Sequence, residues 1–364
     1  MNRPPPTDPN LIDDALQALR RTTGIAGRIT VLEPAPETGY GGEGRTRQRT
    51  DGIVRLDVDG QARTYVVETR RIDRFEAIGA VRHLFADITA PHPLLLVTPY
   101  LAPDAADRCR ALGVEFADAA GNAYLRGPGY LVYVRGQRRR AEDALKTTRE
   151  RAGTPTALRV VFAILCDPRR LNIPYREITK AAGGVALGTI GPILRDLDRR
   201  QLTTGGKGKT LRRLVEPRRL LDEWVTTYPT RLRPKLQRRT FLAPEARWWQ
   251  DTDITEFGGL WSGEVAADRY TNYLKPERIT IYLDPEQYRA KLTDLVRRYR
   301  LRPDPNGNVE VLEKFWDFPG EPGQEDVVPP ILAFADLAAS VDGRNLDVAD
   351  RLYREKIRAA LDAA

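Results

Sequence analysis

The sequence predicts a mixed α/β chain of several domains. Three observations carry that expectation. Strand and helix signals alternate from the N-terminus to about residue 135, a polar and charged segment interrupts the apolar pattern at 136–153, and helical signals then dominate until strands return near 277. The 364 residues carry 41% hydrophobic and 30% charged side chains, a globular composition with material for two or three cores.

The first domain reads element by element. Pro9 sits in the first turn of a helix that runs from Asp8 to about Arg21; proline suits that position because the turn has no use for its missing N–H. Residues 27–50 alternate short apolar pieces with Gly/Arg-rich ones. Ile53, Val54, Leu56 and Val58, the Asp59-Gly60 turn and residues 64–69 predict a β-hairpin. Phe75, Ile78, Val81, Leu84 and Phe85 recur at helical spacing and predict a helix over 73–87. A buried strand at 93–99, a helix at 103–112 and strands at 114–117 and 130–134 complete an α/β domain over 1–136. Residues 137–154 read as a linker.

Asp51 opens one hairpin strand, and Glu68 lies near the end of the other, followed by Thr69 and Arg70. Two carboxylates on adjacent strands can hold magnesium beside a scissile phosphate, and a lysine two positions on orients the water. This is the layout of PD-(D/E)XK-type nucleases. Here Arg70 holds the lysine position, and a guanidinium that stays protonated holds phosphate but cannot act as a base. The candidate catalytic set is therefore Asp51, Glu68 and Arg70 in a degenerate, cofactor-free domain. The alternative is a magnesium-dependent DNA endonuclease with Asp51 and Glu68 as the metal ligands. In the segment 118–124, Gly121-Asn122 suits a turn with positive φ; the alternative places Asp118 or Asn122 facing the hairpin carboxylates.

The residue inventory narrows the chemistry further. Two cysteines, Cys109 and Cys166, and two histidines, His83 and His92, exclude a disulfide framework and a Cys/His zinc site within one chain. They also argue against nucleophilic triads. No apolar run approaches the roughly 20 residues of a membrane span, and MNRPPPTDPN has no apolar signal core, so a cytoplasmic protein without membrane contact is expected.

Residues 155–228 read as a winged helix-turn-helix. One helix carries Leu158, Val161, Phe162 and Leu165 on one face. A second opens at Pro174 and ends at Gly183-Gly184. A third places Ile190, Ile193, Leu194 and Leu197 inward, and two short strands flank the tip TGGKGK. From Arg195 to Arg239 there are fourteen basic and five acidic side chains, a local charge of +9 in a chain whose total is +8. Positive charge gathered on such a module is the electrostatic footprint of a double-stranded DNA partner. The candidate contacts are Thr189, Arg195 and Arg199 on the third helix, and Lys207, Lys209, Arg212 and Arg213 on the wing.

Residues 229–364 predict an α/β C-terminal domain with strands at 277–283 and 308–315 and helices near 262–273, 285–300, 329–340 and 343–361. Trp248, Trp249, Trp261 and Trp316 are expected in its core. Glu264 at a helix start reads as a dipole-stabilised or a functional acid, and Arg344, Asp347 and Arg351 stand at pairing distance along the last helix.

Four segments carry a family resemblance: GVEFADAAGNAYL (113–125), NIPYREITKAAGGVALGTIGPILRDL (172–197), WSGEVAADRYTNYLKP (261–276) and VPPILAFADLAASVDGRNLDVADRLY (328–353). In these the chain resembles AbiEi-family antitoxins of type IV toxin–antitoxin systems, and more closely a long subgroup with a restriction-endonuclease-like N-terminal region. Smaller members place the winged helix first, whereas here it is central, and there is an extra residue near Gly183. The resemblance implies a DNA-binding transcriptional regulator that represses its own operon and opposes a nucleotidyltransferase-type toxin encoded nearby. It leaves a homo-oligomer open. An adaptor that binds a toxin or phage-defence partner through the C-terminal domain is the further alternative.

Overall fold

The computed structural model describes residues 9–31, 51–58, 60–69, 92–138, 153–205, 211–320, 322–340 and 342–362. The chain divides into two compact units, residues 1–149 and 150–364. Both are mixed α/β.

In the first unit, α1 (Pro9–Thr23) carries Ile12, Ala15, Leu16 and Leu19 at helical spacing, and that stripe is buried. It covers one face of a seven-stranded sheet in which the strands lie in sequence order: β1 (Ala26–Val31), β2 (Gly52–Val58), β3 (Gln61–Thr69), β4 (Leu94–Thr98), β5 (Phe116–Asp118), β6 (Ala123–Gly127) and β7 (Tyr130–Val134). Pairing is antiparallel among β1, β2 and β3, parallel from β3 through β4 to β5, and antiparallel again to β7.

Side chains alternate across a strand, so β4 serves two cores. Leu95 and Val97 join the α1 cluster with Val54, Tyr65 and Val67. Leu96 joins Phe116, Tyr124 and α2 (Pro103–Ala111) on the other face. Helices on both faces explain why β4 reads as an uninterrupted apolar run.

The expected hairpin is β2–β3, and Gly60 at φ 79° makes its turn, with its N–H donating to Asp57 Oδ1 at 2.9 Å. Within this unit two strands are additional to the sequence reading. β1 lies in the segment read as alternating pieces, and β6 follows β5 after a four-residue turn. The helix expected over 73–87 lies outside the described residues.

In the second unit, α3 (Pro155–Cys166), α4 (Tyr175–Ala181) and α5 (Leu187–Arg199) precede the short pair β8 (Thr203–Thr204) and β9 (Arg213–Leu214). Next comes α6 (Pro217–Arg231), and then a five-stranded sheet of order β11-β12-β14-β10-β13. Its strands are β10 (Arg238–Leu242), β11 (Gly259–Ser262), β12 (Ile279–Leu283), β13 (Arg302–Pro303) and β14 (Val309–Glu313). Between β11 and β12 lies α7 (Gly263–Thr271). α8 (Tyr288–Tyr299) belongs to the crossover that lets β12 and β14 run parallel. α9 (Pro330–Ala338) packs on α6, α7 and α10 (Gly343–Leu352). The chain then passes through Tyr353–Ile357 into α11 (Arg358–Asp362).

The helices at 155–231 share a core with this sheet. Phe162 of α3 stacks on Trp224 of α6 at 5.1 Å, Trp224 stacks on Tyr228 at 4.9 Å, and Phe162 meets Phe315, just past β14, at 5.1 Å. The buried Trp224 indole donates to the Leu158 carbonyl at 2.8 Å, as a buried indole must. The boundary read at 228/229 thus falls inside α6.

Contact is closest at the turn between α4 and α5. Gly183 has φ 70°, and a Cβ there would stand 2.3 Å from the Phe315 carbonyl oxygen. Beside it, the Asp317 N–H donates to the Ala181 carbonyl at 3.0 Å. Gly183→Ala should cost about 2 kcal/mol or more, from left-handed strain and the backbone shift together. All five tryptophans lie within 150–364, so urea unfolding followed by tryptophan fluorescence reads this unit alone. An unchanged midpoint would contradict the contact.

Candidate nucleic-acid interface

The surface of α4, α5 and β9 is built from local signals. Thr154 caps α3, its hydroxyl accepting from Ala157 N at 3.2 Å. Leu158, Val161, Phe162 and Leu165 are buried, as are Ile178 of α4 and Ile190, Ile193, Leu194 and Leu197 of α5. With those faces inward, α5 turns Leu187, Gly188, Arg195 and Arg199 to solvent.

The predicted contact residues have different environments. Thr189 is half-buried, and its hydroxyl donates to the Ala186 carbonyl at 2.6 Å. Arg195 is exposed, one of its terminal nitrogens lying over Gly191. Arg199 is exposed and ion-pairs with Asp196 one turn back. Arg213 is exposed on β9 opposite Thr204.

Arg212 is held inward. Its guanidinium lies 3.4 Å from Asp198, and its backbone N–H and C=O pair with the Asn172 side chain at 2.7 and 2.8 Å. Asn172 so acts as a one-residue strand that fixes β9. Its forty-residue separation from Arg212 gives no sequence signal. Tyr175, 41% exposed at the start of α4, is a second surface residue that the sequence did not single out. Lys207 and Lys209 lie outside the described residues.

The N-terminal carboxylates belong to the β2–β3 hairpin. Asp51 turns to Thr69, whose N–H and hydroxyl donate to Asp51 Oδ2 at 2.7 and 2.6 Å. Glu68 is buried on β3 beside Leu96 of β4, and Arg70 lies outside the described residues. Among the described residues no three His, Cys, Asp or Glu side chains gather as a metal site.

Asp118 is fully buried and accepts five hydrogen bonds. Oδ1 takes the N–H groups of Ala120, Gly121 and Asn122, and Oδ2 takes Leu101 N–H and Asn122 Nδ2. Burial pushes its carboxyl up from the ordinary value, while the bonds from Asn122, Leu101 and Gly121 draw it back. These bonds tie the turn after β5 to the start of α2, which is a structural role.

Glu264 likewise anchors loops. It accepts from Glu277 and Arg278 N–H and from Asn345 Nδ2, with Arg344 at 3.5 Å. On the last helices Arg351 pairs with Glu355, 2.7 Å away.

A buried charge cluster, unmarked in the sequence, joins α6 to the sheet. Asp336 of α9 accepts from Tyr228 at 3.0 Å, Tyr282 at 3.0 Å, Ser262 at 2.8 Å and Arg233 Nε at 3.0 Å. Arg233 also forks onto Glu310 of β14. Burial lowers the Arg233 guanidinium, but Asp336 and Glu310 more than offset this and hold it well above its ordinary value. Burial, and then the Asp336 charge, push both the Tyr228 and the Tyr282 phenols well up.

Residues 213–358 match the AbiEi_2 family model. That family is described as a transcriptional regulator, the AbiEi antitoxin of a type IV TA system. The resemblance read from the sequence is thus borne out over this stretch, which runs from β9 to the start of α11 and leaves the first unit and α3–α5 outside it. No curated protein and no solved structure matches the chain. Among the described residues no helix is long and apolar enough to cross a membrane.

The cluster sets two expectations for the AbiEi-matched unit. Asp336→Ala strands several buried donors and should lower stability by about 3–5 kcal/mol, read by urea unfolding with tryptophan fluorescence. The second concerns alkaline pH. Below about pH 10 the two phenols are protonated in folded and unfolded chains alike, so their contribution is fully present. Above it the unfolded chain releases protons that the folded chain keeps, and stability falls by about 1.4 kcal/mol per pH unit for each phenol. The double variant Tyr228→Phe, Tyr282→Phe should show a shallower alkaline slope than wild type between pH 10 and 11.

Proposed function

We propose that residues 155–231 form a winged helix-turn-helix that binds duplex DNA, and that the protein is a cytoplasmic, antitoxin-type regulator that represses its own operon. The observation that carries this reading is the exposure of Arg195, Arg199 and Arg213 on α5 and β9. The scaffold is three helices followed by a short hairpin, continuous with the segment that matches the antitoxin regulator family. α4 would cross the phosphate backbone, α5 would enter the major groove, and the hairpin tip with Lys207 and Lys209 would meet the flanking phosphates. The partner that the family resemblance implies beside DNA is a nucleotidyltransferase-type toxin.

The test is a gel-shift titration on the protein's own promoter across a salt series. The triple variant Arg195→Ala, Arg199→Ala, Arg213→Ala should bind more weakly to all sequences. Its log–log salt slope should flatten by about 2 to 3, roughly 0.9 for each phosphate that the variant no longer neutralises. Unchanged affinity would sink the interface assignment. Arg212→Ala belongs to another class, because it releases Asp198 while the backbone clamp from Asn172 stays, and so acts on the hairpin rather than on a phosphate.

For the first unit we read a degenerate restriction-endonuclease-like domain. Support comes from the antiparallel β1–β2–β3 run followed by parallel β4, and from the engagement of Asp51 by Thr69. Plasmid and promoter DNA should remain intact with the protein and magnesium. Magnesium-dependent cleavage that disappears in Glu68→Ala would establish the nuclease instead.

A further inference from the structure

We infer that the leading turn of α5 reads thymine methyl groups through Leu187; this deepens the DNA-binding reading above and rests on it. Residues 185–194 run Val-Ala-Leu-Gly-Thr-Ile-Gly-Pro-Ile-Leu. Only Thr189 among them carries a hydrogen-bonding side chain, and its hydroxyl hydrogen is already donated to Ala186.

Val185, Ile190, Ile193 and Leu194 are buried in the helical core, whereas Leu187 is 45% exposed and Ala186 and Gly188 are open to solvent. A Cβ built on Gly188 would meet nothing within 4 Å. The turn is therefore unobstructed and apolar. It lacks the Arg, Lys, Asn or Gln that would fork onto guanine or adenine edges. Among the groups that base pairs present in the major groove, the C5-methyl of thymine is the one that an apolar side chain recognises.

The first charged side chain of the helix is Arg195, eight residues and about 12 Å further along the axis. It lies beside Gly191, where the Tyr175 ring also packs. Base reading and charge are thus separated along α5. Leu187 stands at the tip that enters the groove, and Arg195 and Arg199 stand where the helix leaves it for the phosphates. Leu187 leaves apolar surface in water in the free protein. Seating it against a methyl group removes both apolar surfaces from water.

The experiment uses the full-length chain and its promoter fragment, amplified once with thymidine and once with deoxyuridine triphosphate. Uracil keeps the hydrogen-bonding pattern and lacks the methyl. Wild type should bind the uracil fragment about fourfold more weakly for each methyl contacted, the factor that corresponds to ~0.8 kcal/mol per buried carbon. Leu187→Ala should bind the thymine fragment more weakly and lose most of that discrimination. Arg195→Ala should weaken binding to both fragments equally and keep the discrimination.

Equal binding of both fragments by wild type would overturn the inference. Full discrimination retained by Leu187→Ala would overturn it too, since the sensitivity would then lie in DNA deformability or in another residue. Binding to neither fragment would remove the DNA-binding reading itself, a result distinct from both.

Discussion

A single carboxylate out of reach of water organises the second unit. Asp336 sits in an apolar helix, and a buried carboxylate is tolerated only where donors surround it. Those donors come from α6, the turn after it, β11 and β12, so these elements are held in one relative arrangement. Apolar packing alone would tolerate sliding by a fraction of a turn; four directed bonds onto two oxygens do not. α6 also follows directly from β9, and through it the position of the arginine-bearing hairpin is tied to the sheet.

The same structure separates bound charge from presented charge. The local excess of +9 at 195–239 contains arginines with internal partners. Arg233 is engaged by Asp336 and Glu310, Arg212 by Asp198, and Arg200 and Arg219 by Glu223. These pairs fix the geometry of the module. The field available to a polyanion comes from the exposed remainder, Arg195 and Arg213 among them. Net charge counted along a sequence therefore locates such a surface better than it measures it.

Legibility followed the range of the interaction. Helical period alone placed Leu158, Val161, Phe162 and Leu165 inward, and Ile190, Ile193, Leu194 and Leu197 likewise, because burial of a stripe is a local property. Glu264 and Asp118 were visible as unusual acids, but their roles depend on Asn345 and Leu101, which the fold brings near. Asp336 gave no signal within its apolar run, since its partner Tyr228 is 108 residues away. β10 was missed because Arg-Arg-Thr-Phe-Leu buries only Phe241 and lacks a strand's usual alternation. At Asp51 and Glu68 the spacing was readable from sequence, but the hydrogen bonds from Thr69 that occupy Asp51 were not.

The aromatic stack of Phe162, Trp224 and Phe315 bears on how such a chain can evolve. Many small helical modules travel between proteins as cassettes because their cores close on themselves. This one does not. Cut after α6, the helices would expose one side of Phe162 and Tyr228 to water and lose the Phe315–Asp317 backbone that braces the turn before α5. The smallest heritable piece that keeps its core closed extends at least to Phe318, which also packs on Phe162. Recombination at the helix–sheet junction would yield a sticky fragment, so helices and sheet are constrained to descend together.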